Sequence, residues 1–146
     1  MILEIDLIPS TSFYNNARAK LSKKEWQIIA NSVRSTVYNI CQICDFAPEK
    51  SLDVHEIWEY DEVNLIQKLV GLIALCKSCH GVKHYGLSQI QGKEKQAYNH
   101  FKKINKLTDQ QAKQEIVQAF QTWANRSQKQ WELDLSYLNN FSKGIK

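Results

Sequence analysis

The chain has 146 residues, 43% of them hydrophobic and 23% charged, with four cysteines and a formal charge of +4. That length supports one hydrophobic core, and only two prolines and five glycines exclude a collagen-like or low-complexity chain. No apolar run approaches the ~18 residues of a membrane span; the longest is Val70 to Cys76, so no membrane partner is expected.

Leu3, Ile5 and Leu7 alternate with Glu4 and Asp6, the period of a short strand or extended arm. The two acids stand where a secretory signal would carry Lys or Arg. A cytoplasmic, reducing location is therefore expected, in which cysteines serve as metal ligands rather than disulfides. Pro9 to Ser12 break the arm. Ser22 and Glu25 have capping-box spacing, Leu21 and Trp26 that of a hydrophobic staple. With Trp26, Ile29, Val33 and Val37 on one face, they predict a helix from about Lys23 to Tyr38.

Two CxxC turns follow, Cys41-Gln42-Ile43-Cys44 and Cys76-Lys77-Ser78-Cys79. Each aims two thiolates at one point, and together they complete a tetrahedral site for structural zinc. A thioredoxin-like redox pair fits less well, because two pairs are present and no strand–CxxC–helix context surrounds Cys41. A rubredoxin-like iron site meets the same spacing, with the nearby histidines against it. Between the turns, Leu52 to Glu62 begins as a strand, Asp61 to Lys68 reads as a loop, and Val70 to Cys76 as a buried second strand. His80 and His84 share one helix face at i and i+4, with Gly86 as the expected helix stop. His55 on the first strand can then meet His84 on the helix.

Ala97, Phe101 and Ile104 mark a short helix. Thr108 and Gln111 open another, with Ala112, Ile116, Ala119, Phe120 and Trp123 as its buried stripe. The segment from Trp131 to Leu138 has no settled type. Residues 40–86 carry four basic and seven acidic side chains, a net −3; residues 87–146 carry ten and five, a net +5. A basic flank suits a nucleic-acid backbone, and a solvated lysine-rich helix face explains it equally well. His100 on that flank is expected at the surface. No linker divides the chain, so an α+β single domain is expected. It comprises an arm and helix over 1–40, a zinc-stapled core over 41–86 and helices over 87–146.

The run CxxC, then Leu52-Asp53-Val54-His55-Glu56-Ile57, then Leu75-Cys76-Lys77-Ser78-Cys79-His80 through His84 resembles the HNH endonuclease motif, the ββα-metal (His-Me) finger. The resemblance covers residues 41–86, under a third of the chain. It implies a structural zinc on Cys41, Cys44, Cys76 and Cys79. It further implies a catalytic divalent metal (Mg²⁺, Mn²⁺ or Zn²⁺) on His55 and His84, and hydrolysis of phosphodiester bonds in nucleic acid, with DNA the expected partner. Glu56 falls at the position of the family's base histidine, and Gly71 at that of its central asparagine. Glu56 is then the replacement base or a third metal ligand, and His80 the alternative base. Lys83, Lys93, Lys95, Lys102 and Lys103 are the candidate backbone contacts. The two substitutions also suit an inactive zinc module that binds nucleic acid or a protein partner. Oligomeric state is not legible.

Overall fold

A computed structural model describes residues 1–13 and 15–141. The protein is α+β, with a three-stranded sheet among six helices in the described residues. The arm from Met1 to Pro9 is extended without joining a sheet. Helices α1 (Ala17–Lys20) and α2 (Lys23–Thr36) follow. The α2 start is the reciprocal box that the sequence predicts: Glu25 N–H donates to Ser22 Oγ at 3.1 Å, and Ser22 N–H to Glu25 Oε1 at 2.9 Å. Its buried face is Trp26, Ile29 and Ala30.

Strands β1 (Asp53–Asp61) and β2 (Ile66–Leu75) form an antiparallel hairpin. Its turn is closed by Asp61, whose Oδ1 accepts from the N–H groups of Val63 and Asn64, an Asx arrangement. The second strand therefore starts four residues earlier than its apolar run suggests. The register slips after Ile57, which faces Gly71, because Trp58 faces Leu69 and Val70 is the extra residue. This bulge bends the hairpin. Strand β3 (Glu132–Asp134) adds parallel to β2, in the order β1-β2-β3. It lies in the terminal segment whose type the sequence left open, and a 3₁₀ turn over Ser136–Phe141 follows it.

After β2 come α3 (Lys77–Lys83), α4 (Tyr85–Ile90), α5 (Glu94–Asn105) and α6 (Asp109–Arg126). The break between α3 and α4 falls at His84, with φ −99° and ψ 53°, while Gly86 lies inside α4. The expected stop at Gly86 is thus displaced by two residues. Gly86 is instead a close-approach position: a Cβ there would stand 3.8 Å from Leu7 and 3.9 Å from Phe120.

Two apolar clusters flank the sheet. The larger joins Leu3, Leu52, Leu75, Val82, Tyr85 and Phe101 around the cysteines; the smaller joins Ala17, Ile29, Leu69 and Leu138. The arm is pinned to the first. Asn105 Oδ1 accepts from Leu3 N–H, and its amide donates back to Leu3 C=O. Trp123 Nε1–H donates to Ile8 C=O at 2.9 Å. In α6, Ala112 is buried but Phe120 and Trp123 are only half-buried, so the expected stripe is partly a wall rather than a core. No helix among the described residues is long and apolar enough to cross a membrane.

Candidate metal centres

Two clusters of metal-ligating side chains lie at the two ends of α3. In each, the candidate donor atoms all lie within 4.8 Å of one another.

The first is Cys41, Cys44, Cys76 and Cys79, all free thiols. The first turn is tight because Asp45 takes a left-handed φ of 64°, which a short polar side chain tolerates. Its N–H donates to Cys41 C=O at 3.0 Å. The second turn is the α3 start, with Cys76 as its cap. Cys44 Sγ and Cys76 Sγ are 3.6 Å apart. With metal–sulfur bonds of about 2.3 Å, sulfurs at tetrahedral corners stand about 3.8 Å apart, so the spacing fits a Cys₄ ion. The electrostatics agree. Burial opposes ionisation of Cys41, but N–H donors from Cys44, Cys76 and Ile43 outweigh it and hold the thiol down at about 7. Burial pushes Cys44 up to about 11, and burial with the other thiolates pushes Cys79 up as well. Four crowded thiols cannot all ionise without a cation among them. The residues therefore fit a structural metal such as zinc.

Sequence reasoning missed a fifth member. His100, expected at the surface, is half-buried, with Nε2 3.2 Å from Cys79 Sγ. The only signal was its helix phase, since His100 neighbours Ala97 and Phe101 on the inward side of α5.

The second cluster is His55, His80 and His84. The ring centroids are 5.4 Å (55–80), 5.0 Å (55–84) and 4.7 Å (80–84) apart, with planes inclined by 70–74°. Three rings nearly perpendicular to one another converge like the faces of a corner. His80 Nδ1 lies 2.9 Å from Asp53 Oδ2, and His55 Nε2 lies 3.2 Å from Asp6 Oδ2. A carboxylate on one ring nitrogen fixes the tautomer and leaves the other nitrogen for a cation. Burial, and then the neighbouring histidines, depress His84 to about 4; burial leads the depression of His80 too. Neutral imidazole is the ligating form. The three histidines therefore fit a divalent metal.

The remaining candidates are placed differently. Glu56 lies outside the histidine cluster. Its Oε1 accepts the Arg18 N–H at 2.9 Å, and burial raises its pKa against that bond. It shares a cleft with the histidines because β1 is an edge strand, so side chains from both of its faces border the open side. Lys83 is 8% exposed and pairs with Asp6 at 3.0 Å. Lys102 pairs with Asp109. Lys93, Lys95 and Lys103 are exposed. Gly71 sits at the bulge, where a Cβ would stand 3.4 Å from Ile57.

No known family model, no curated protein and no solved structure matches this chain. What the two centres do is carried by their own geometry.

Proposed function

We propose that the protein is a metal-dependent endonuclease of the HNH type. The observation that supports this best is the convergence of His55, His80 and His84, two of them backed by Asp6 and Asp53. His80, weighed from sequence as a base, is better read as the third ligand, because its ring completes the corner. When bound, a divalent cation supplies charge stabilisation to a phosphodiester during displacement. The Cys₄ centre holds β2 and α3 in register so that His80 and His84 face His55. Glu56 is the proton acceptor in this reading. Its burial makes it a stronger base than an ordinary carboxylate, and it lines the same cleft as the histidines.

The test is plasmid nicking by zinc-loaded protein with Mg²⁺, Mn²⁺ or Ni²⁺ added in turn. Nicking that His84→Ala and Glu56→Gln each abolish, at unchanged zinc content, supports the enzyme. The Glu56–Arg18 backbone bond favours a second reading, in which Glu56 only caps α1 and the finger is a non-catalytic module. Nicking lost in His84→Ala but kept in Glu56→Gln removes the base assignment alone. No cleavage of DNA or RNA by folded protein leaves the module.

A further inference from the structure

The cleft over the histidines has a volume of about 930 Å³, the upper end of pockets that take compact ligands. Its wall is chemically unlike a duplex-binding groove. A double helix presents phosphates and is held by rows of Lys and Arg. Among the described residues Arg18 is the one lysine or arginine lining this cleft, and none of Lys83, Lys93, Lys95, Lys102 and Lys103 borders it. The wall is instead Trp26, Trp58, Phe120 and Trp123, with Leu87 at the rim. Trp58, Phe120 and Trp123 are half-buried and Leu87 is 50% exposed. They come from β1, α6 and α4, so three elements converge to present aromatic and apolar surface beside the histidines.

Aromatic faces next to a cation site match one form of nucleic acid. Paired bases hide their flat faces in the stack; unpaired bases expose them and stack on Trp and Phe regardless of sequence. The charge distribution fits as well. The Arg18 guanidinium stands 5.9 Å over the Trp26 ring, at the side of the cleft, where it can meet a phosphate. We infer that the substrate strand enters this cleft unpaired, with its bases against the Trp58–Trp123 wall and a phosphate carried to the histidines. This rests on the endonuclease reading and names the form of its substrate.

The experiment is tryptophan-quenching titration of zinc-loaded protein, without added divalent metal, by an oligothymidine of about twelve nucleotides and by its duplex. The expected result is quenching by the single strand and at least about tenfold tighter binding than for the duplex. Trp58→Ala weakens single-strand binding about fivefold or more, and Trp58→Phe restores most of it. Because Trp58 also touches the smaller core, Leu87→Ala at the exposed rim is a second variant, with the same preference for weakening the single strand. Duplex binding as tight as single-strand binding overturns the inference. So does a folded Trp58→Ala with unchanged single-strand affinity. If plasmid nicking persists in those cases, the endonuclease reading stands alone. Single-strand binding without cleavage under any metal upholds the cleft's ligand and removes the enzyme.

Discussion

Asp6 and His55 are 49 residues apart in sequence and 3.2 Å apart in the fold, carboxylate Oδ2 to ring Nε2. The same oxygen lies 3.0 Å from Lys83 Nζ, and the Asp6 N–H donates to Lys83 C=O at 3.0 Å. Burial opposes the charge on Asp6, but His55 and Lys83 more than offset it and hold its carboxyl below the usual range. Asp6 is thus an ionised group tying the arm to the histidine centre. Replacing it with Asn leaves the His55 ring without its anionic partner. Asp6→Asn is expected to weaken Mn²⁺ or Co²⁺ binding at the histidines by about 10- to 100-fold. Zinc content at the cysteines stays unchanged. Calorimetric titration with elemental analysis separates the two, and equal metal affinity in the variant would sink the role assigned to Asp6.

At the other centre, His100 plays the comparable part. Burial, then Lys103, holds the imidazole below its ordinary range, and with Cys79 ionised on a metal the ring Nε2, 3.2 Å from Sγ, would be the donor. That bond offsets part of the negative charge that four thiolates bring to one ion. His100→Ala is expected to release zinc to a competing chelator about tenfold faster, with the helical circular dichroism unchanged. His100→Gln, which keeps an N–H donor, is expected to recover part of the loss. Identical release rates in wild type and His100→Ala would assign the contact to packing alone.

These two contacts also mark where the sequence stopped being readable. The CxxC turns and the i, i+4 pair of His80 and His84 are local patterns, and the fold brings each of them together. Their partners are set by tertiary packing. Asp6 reaches His55 only because Leu3 is buried in the core and Asn105 clamps its backbone. His100 reaches Cys79 only because α5 packs on α3. The short strand β3 is built from Glu132, Leu133 and Asp134, with a single apolar residue, so its pairing with β2 has no periodic signal. The displaced helix stop has a physical origin too. The chain turns at His84, where a side chain committed to the histidine cluster meets a non-helical ψ, rather than at the residue with the greatest conformational freedom.

Zinc removal should act on the whole core rather than on one end. Cys41 and Cys79 are fully buried and sit in the same cluster as Leu75, Val82 and Phe101. A structural site of this kind converts ion binding into folding free energy. Chelation, or Cys41→Ser, is expected to abolish near-ultraviolet circular dichroism and the cooperative thermal transition. His84→Ala should keep both, because His84 is only half-buried and lines the cleft. A chelated protein that still melts cooperatively at the wild-type temperature would exclude a structural ion.

The junction of α4 and α5 gives an alkaline test. Tyr85 is 1% exposed, and its hydroxyl donates to Glu94 Oε2 at 3.1 Å. Burial, and then the Glu94 carboxylate, raise the phenol well above its ordinary value of about 10. A raised folded-state pKa means that the folded chain keeps a proton that the unfolded chain has already lost. The stability that this hydrogen bond contributes is fully present below about pH 10 and declines as pH rises toward the folded value. Tyr85→Phe is expected to cost about 0.5–1.5 kcal/mol at neutral pH. Above about pH 10 the wild-type protein should lose stability faster than the variant, so that their denaturation curves converge. Parallel curves from pH 7 to 11 would mean that Tyr85 ionises normally and that the bond to Glu94 holds no proton in place.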